Sequence, residues 1–508
     1  MNRELTDIPV ATETWLQSNR RRFLVNAGCS IGLAALATLF VRNQWNSTRR
    51  VVRRNPAVDD HPPLGKLVAS RSRRSYSPGG AANRIIYLHQ GGAPSQLDLF
   101  DYKGQLAKWH GSELPDSVRQ GQRLTDLTAN QASLPLTASK FRFKQYGSAG
   151  AWLSEILPCH QEIVDDVCFV RSMYTEAINH VQAASLTHTG SQQPGRPSLG
   201  AWLSYGLGSL NDNLPTYVVL TSKGSAFRGG ESLQQRLWSN GFLSAKHQGV
   251  KFRSNQDPVL YLSNPAGLSR EQRRQQLDCL SLLNQDAYQR YGDPAITDRI
   301  EQFEMAFRMQ DSVPAIADLS DEPESTFQLY GQDARRPGTF AANCVMARRL
   351  AERDVRFIQL FHRGWDQHSA INDDLPKQAR DVDQASAALV LDLKQRGLLD
   401  DTLVIWGSEF GRTVYCQGAL SDASYGRDHH PRCFSVWLAG GGIRPGIVYG
   451  ETDEFGYNVA ENPVHVHDLN ATILHCMGID HQQLTFRHMG RDFRLTDVGG
   501  QIVHDILV

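Results

Sequence analysis

Short apolar runs that each stop at a polar or glycine-rich loop recur along this chain, and they limit its fold more than any other feature. The first is "RIIYLHQGG": residues 84–90 have the length and content of a buried strand, and Gly91 and Gly92 end it. Equivalent runs lie in "DDVCFVRSM", which ends near Arg171, and at residues 216–222, 355–361, 402–406 and 433–438. They are continuously apolar rather than alternating, which is the pattern of strands covered on both faces. Between them, apolar residues at three- and four-residue spacing predict helices over 199–207, 270–283, 298–309, 340–353 and 379–396. A further helix is expected in "LNATILHC", with Asp468 as its cap and Gly478 as its stop. Strands alternating with helices predict an α/β fold, a central and mostly parallel sheet sandwiched by helices. Ligands of such sheets bind in loops beyond the carboxyl ends of the strands.

The globular part is expected over residues 84–508, with a more polar and irregular insertion or cap around 206–338. Ahead of it, "RRRFL" (Arg20 to Leu24) precedes an apolar run of 17 residues, 25–41. A charged stretch followed by such a run reads as an export signal, and its paired arginines resemble the twin-arginine type, which exports folded proteins. At the short end of the spanning range, the run also suits a retained anchor. Residues 42–83 read as a basic, flexible linker, with Arg49, Arg50, Arg53, Arg54, Arg71, Arg73 and Arg74 able to lie on an anionic membrane surface. The expected location is therefore outside the cytoplasm: periplasmic, cell-surface or membrane-anchored. A formal net charge of +0 argues against a nucleic-acid partner. The eight cysteines contain no C-x-x-C pair and are expected to be mostly buried thiols.

Residues with metal-binding chemistry gather where the strands end. Asp366 and His368 ("GWDQH") follow the 355–361 run, and Glu409 ("GSEFGRT") follows 402–406. His429 and His430 ("GRDHHP") come just before 433–438, and Ser95 and Asp98 follow the first strand. Imidazoles mixed with carboxylates suit zinc, manganese or iron, whereas calcium and magnesium, the alternatives, prefer oxygen alone. Each residue also has a structural reading: Asp366 as a turn or helix cap, and Glu409 as a salt-bridge partner of Arg412. Of the histidine pair, His429 is favoured, because Asp428 beside it is placed to orient its ring. His465 and His467 read as structural, and Gly440 to Gly442 lack the lysine of a phosphate loop.

With these residues in place, the chain resembles domain-of-unknown-function family 1501, a sulfatase-like group of the alkaline-phosphatase superfamily. The blocks that carry the resemblance are "GGAPSQLDLFD", "FEMAFRMQ", "GWDQH", "RGLLDDTLVIWGSEFGRT", "GRDHHP", "LAGGGIRPGIVYGETDEFGY", "NPVHVHDLNATILH" and "GRDFRLTDV". The resemblance implies an alkaline-phosphatase-like fold and a site for one or two divalent metals. By motif, Asp366 and His368 fall on a first Asp and His pair of ligands, Glu409 on the Asp of a second pair, and His429 on a final His. Phe410 stands where the second pair would have its histidine. Gln90 and Gly91 stand where catalytic relatives end the first strand in an Asp, with Asp98 as the candidate replacement.

Hydrolases of that superfamily place a nucleophile at the start of a helix ending in Thr-Gly. In "AINHVQAASLTHTG" the position nine before Thr189 is His180. This imidazole could be a metal ligand, a general acid or base, a nucleophile or a relic of an inactive site, and is read first as a ligand, then as a relic, and last as a nucleophile. A formylglycine motif is absent, since Cys159 is followed by His160. The resulting expectation is an exported, metal-dependent hydrolase of phosphate or sulfate esters. Asp366, His368, Glu409, His429 and Asp98 would hold metal, with His180 and Arg412 acting on a small anionic ester or a sulfated or phosphorylated glycan. The alternative is a non-catalytic anion- or glycan-binding protein on the same fold.

Overall fold

Arg84–Gly91 (β1) is a strand whose residues are buried on both faces, and it runs through the middle of a nine-stranded sheet. The computed structural model describes residues 80–228, 233–253, 258–421 and 424–508. The expected signal or anchor and residues 42–79 of the expected linker lie outside the described residues. In chain order the other sheet strands are Val167–Tyr174 (β2), Tyr217–Lys223 (β3), Val250–Lys251 (β4), Phe357–Arg363 (β5) and Thr402–Gly407 (β6). Gly411–Cys416 (β7) and Arg427–His430 (β8) form a separate two-stranded ribbon, and Phe434–Ala439 (β9), Ile447–Tyr449 (β10) and Val464–His465 (β11) return to the sheet.

The sheet order is β10-β2-β9-β6-β1-β5-β3-β4, with β11 also pairing β2. Only β9 runs antiparallel to its two neighbours; every other pairing in this sheet is parallel. In register, His89 of β1 faces Phe361 on β5 and Gly407 on β6, so these three strands end together. Their following loops therefore open at one edge of the sheet.

Alternate β1 side chains serve two cores. Ile86 and Leu88 pack with the helices Phe340–Ala351 and Ile371–Gln395, while Ile85 and Tyr87 pack with His180–Thr189 (α1), Leu199–Leu207 (α2) and Val466–Cys476. Helices thus cover both faces, as the sequence pattern predicts, and the apolar strands follow from that double burial. Thr339 caps the first of these helices by accepting from Ala342 N, which explains its sharp start. The second begins at Ile371, earlier than expected, and carries Pro376 within it. In the last, His465 rather than Asp468 is the N-cap, its ring accepting from His467 N, and the Asp468 carboxylate accepts from the His465 N–H as the return half of a capping box.

The 206–338 region is less irregular than expected. It supplies β3 and β4 to the sheet, and Arg270–Tyr291 and Pro294–Ala317 are long helices packed on each other. Its polar composition follows from exposure, because the first of these two helices buries only Leu277. Cys168, Cys344, Cys416, Cys433 and Cys476 are buried free thiols. Among the described residues, no helix is long and apolar enough to cross a membrane.

Candidate functional site

The site forms where loops beyond the carboxyl ends of β1, β2, β5 and β6 meet the β7–β8 ribbon. His180 is the first residue of α1, and Asn179 caps that helix by accepting from Val181 N at 3.1 Å. Gly190 ends it at φ 66°, where a Cβ would fall 1.6 Å from the Leu495 carbonyl oxygen, so only glycine fits. Asp366 and His368 lie in the loop after β5, and Glu409 follows β6. Arg412 on β7 stands directly across the ribbon from His429 on β8.

These elements bring three imidazoles and a guanidinium onto one carboxylate oxygen. Asp366 Oδ1 lies 2.6 Å from Arg412 Nη2, 2.8 Å from His368 Nε2, 3.2 Å from His180 Nε2 and 3.3 Å from His429 Nε2. The ligand atoms of His180, Asp366, His368 and His429 all lie within 4.8 Å of one another. Each ring is anchored by its other nitrogen. His180 Nδ1 meets Glu409 Oε1 at 2.7 Å, His368 Nδ1 meets Gln417 Oε1 at 2.5 Å, and His429 Nδ1 meets the Ile178 carbonyl at 3.1 Å.

All three anchors are oxygen acceptors, so each Nδ1 carries the proton and each Nε2 lone pair turns to the centre. Three lone pairs and a carboxylate facing one point repel unless a proton or cation lies among them. His180 Nε2 is buried and, despite its 3.2 Å approach to Asp366, makes no hydrogen bond. The donor set therefore fits a divalent cation of the nitrogen-preferring kind. The four side chains keep 11–26% of their surface exposed, which leaves one side open to a ligand.

The charges reflect this crowding. Burial would raise the Asp366 carboxyl, but the Arg412 guanidinium and the close imidazoles of His180, His368 and His429 hold it well below the usual range. Burial would lower His180, yet Asp366 and Glu409 raise it to about 9. Burial dominates at His429 and lowers it to about 4, with Arg412 and His180 adding to the effect against Asp366. Without a cation, then, the centre holds its proton on His180.

Three expected site residues have other partners. Asp98 does not join the cluster: fully buried, it pairs with fully buried Arg427 at 2.7 Å and accepts from Ser95 and Tyr425. Glu409 stands behind His180 rather than at the centre, accepting from Gly92 N at 2.9 Å and from Ser408 Oγ at 2.7 Å. Arg412 is buried and is spent on Asp366 and on the carbonyls of Ala93, Gly92, Trp365 and Arg427, so it holds Asp366 instead of steadying a substrate. Asp428 does not orient the His429 ring; its carboxylate takes Thr125, Thr128 and the His429 backbone N–H.

Phe410 is buried with its ring 4.9 Å from that of His180 and 4.8 Å from that of His429, forming one wall. Gln90 accepts from Trp365 Nε1 at 3.0 Å inside the fold. Sequence reasoning did not single out Gln417, or His89 and His188, which adjoin Glu409 and each other. His188 was discoverable, since eight residues after His180 it falls on the same helical face. A cleft of about 340 Å³ adjoins His429, lined by Arg123, Tyr174, Ile178, Tyr415, Arg432 and Tyr457 among others.

This is an α/β protein whose sheet edge carries a His3Asp cluster suited to a cation. The chain belongs to the family described as "Protein of unknown function (DUF1501)", which matches residues 82–507. Among solved structures, it is similar to a protein in the alkaline phosphatase superfamily from Vibrio parahaemolyticus, at 11% identity over 82% of this chain and 76% of that one, with a TM-score of 0.34. It is also similar to the alkaline phosphatase of the Antarctic bacterium TAB5 (11% identity, 78% of this chain and 98% of that one, TM-score 0.30). The phosphonate monoester hydrolase of Silicibacter pomeroyi is a third (15% identity, 64% and 68%, TM-score 0.24). A search of curated proteins finds no match to this chain.

Proposed function

We propose that this chain is an exported, divalent-cation-dependent hydrolase of phosphate or sulfate esters. The observation that carries the reading is the convergence of three Nε2 atoms on Asp366 Oδ1, each ring fixed through its Nδ1. Zinc, manganese or iron matches those donors best. A cation held there supplies Lewis acidity toward a phosphoryl or sulfuryl oxygen and acidifies water.

The chain's own groups do the remaining work. Arg412 keeps Asp366 ionised and aimed at the centre. Glu409 keeps the His180 proton on Nδ1, which leaves Nε2 free to donate its lone pair. The exposed side of the cluster admits the anionic group, and the cleft beside His429 takes the rest of a small ester or a sulfated or phosphorylated glycan. Arg123 and Arg432 on that cleft's lining favour an acidic substrate. With His180 held through Nδ1 by Glu409 and turned through Nε2 to the cation centre, its ring serves as a ligand rather than a nucleophile, and the ester would be cleaved by water directly.

The test is to purify the full chain, measure its metal content, and assay aryl phosphates, phosphodiesters and aryl sulfates before and after chelation. Turnover lost on chelation and restored by one metal supports the reading; metal-free protein without turnover removes it. A second reading, a non-catalytic anion- or glycan-binding protein, is favoured by Phe410, whose ring walls the cluster beside His180 and His429. Cation binding with no turnover on any ester, together with tight glycan or anion binding, decides for that reading. Export is proposed from the Arg20–Leu24 and 25–41 pattern, and fractionation of the native host checks it.

A further inference from the structure

Behind Glu409 lies a second group of polar side chains that the hydrolase reading does not use. His89, His188, Gln359 and Tyr217 are 0–3% exposed and come from three strands and α1. His89 Nε2 lies 3.3 Å from Glu409 Oε2, His188 Nε2 lies 3.1 Å from His89 Nδ1, and Gln359 Nε2 lies 2.9 Å from His188 Nδ1. The Tyr217 hydroxyl donates to Gln359 Oε1 and ends the row. Phe361 packs edge-on against both imidazoles, at 5.3 and 5.2 Å between ring centres.

We infer that the row Tyr217–Gln359–His188–His89 is a positioning device that locks Glu409, and through it the His180 ring, and so sets the affinity of the site for a divalent cation. The inference rests on the proposed cation site. Glu409 is an acceptor, so His89 must present N–H at Nε2 and a lone pair at Nδ1. His188 must then donate from Nε2 and accept at Nδ1, which fixes the Gln359 amide with its nitrogen toward His188. The Gln359 oxygen then accepts from the Tyr217 hydroxyl. One arrangement with neutral rings satisfies every member, and all its donors point toward Glu409.

His180 Nδ1 and Gly92 N lie on one oxygen of the Glu409 carboxylate, and Ser408 Oγ, whose hydrogen is shared with the Gln90 carbonyl, and His89 Nε2 lie on the other, so both oxygens are held from two sides. The carboxylate cannot rotate away from His180. The row is not a proton path, because its far end is a hydroxyl 1% exposed that is already donating. His188 and His180 also lie about two turns apart on α1, so the same contacts pin the helix that carries the ligand.

The experiment compares zinc affinity in metal-stripped full-length wild type, His89→Phe, His188→Phe and His89→Gln, by competition with a chromophoric chelator. Circular dichroism checks that each variant is folded. A glutamine amide offers an NH2 donor and a carbonyl acceptor without titrating, so H89Q should preserve the row. H89F and H188F should weaken zinc binding roughly 10- to 100-fold, with H89Q remaining within about threefold of wild type. Unchanged affinity in a folded H89F or H188F overturns the inference, and so does H89Q failing as severely as H89F, since that outcome requires an ionisable ring. If the phenylalanine variants do not fold, H89Q alone decides on the same threshold. Wild type without zinc affinity overturns instead the cation site and the hydrolase reading built on it.

Discussion

Replacing Asp98 with Asn separates a structural carboxylate from a metal ligand, because the two roles predict opposite outcomes. Asp98 and Arg427 are both fully buried, and the carboxylate takes Arg427 Nε at 2.7 Å and Nη2 at 3.4 Å. The guanidinium's other hydrogen bonds go to the carbonyls of Thr413, Val414 and Thr137, none of which carries charge. D98N keeps the shape and leaves Arg427 as a buried cation without a counter-ion. Breaking one partner of such a pair costs about 3–5 kcal/mol. At about 2 °C per kcal/mol for a large domain, the thermal midpoint should fall by roughly 6–10 °C. Differential scanning calorimetry reads that fall, and a zinc titration of the folded variant at 25 °C should match wild type. A folded D98N that has lost cation affinity, or one with an unchanged midpoint, refutes the assignment.

Other outcomes follow from the same geometry. His180 is raised to about 9, so a cation must displace its proton, and apparent zinc affinity should climb with pH until about 9 and then level; a flat profile from pH 6 to 9 contradicts this. In the metal-free chain, the stabilisation from that raised pKa is fully present below about 6.5 and is lost as pH rises through about 9, an effect of about 3 kcal/mol in urea unfolding. His429, lowered to about 4, acts in the opposite sense and makes stability increase as pH rises from about 4 to about 6.5, so metal-free protein should be most stable near pH 6.5. Gly190→Ala should destabilise the chain by about 2 kcal/mol or more, since it adds left-handed backbone strain to a clash with Leu495; an unchanged unfolding midpoint would contradict the described helix end.

The strands were readable because burial on both faces demands unbroken apolar runs, and a run of that kind needs no partner to be recognised. Strand direction was not readable in the same way: nothing in the apolar run at 433–438 marks β9 as the antiparallel member. At the site, sequence reasoning brought Asp366, His368 and His429 to one sheet edge, because each adjoins the end or start of an apolar run there, whereas His180 was placed by the family resemblance alone. It did not sort the carboxylates. Asp98 and Glu409 both sit after strands, but Arg427 claims one and His180 with His89 the other, and those partners lie 329, 229 and 320 residues away. Arg412 was read as facing substrate because exposure is not written in spacing; the loop after β1 folds over it, with Ala93 held at φ 64° and its carbonyl on the guanidinium. Polarity along a row such as His89–His188–Gln359–Tyr217 emerges only once the strands and α1 are packed together.

The measurement that bears most directly on the central claim is cation stoichiometry and affinity of purified full-length protein beside Asp366→Ala, in which the carboxylate shared by the three imidazoles is gone. The account predicts a single tightly held zinc, manganese or iron ion per chain in wild type and its loss in the folded variant. A wild type that binds no divalent cation, or a D366A variant that binds it equally well, would contradict the account.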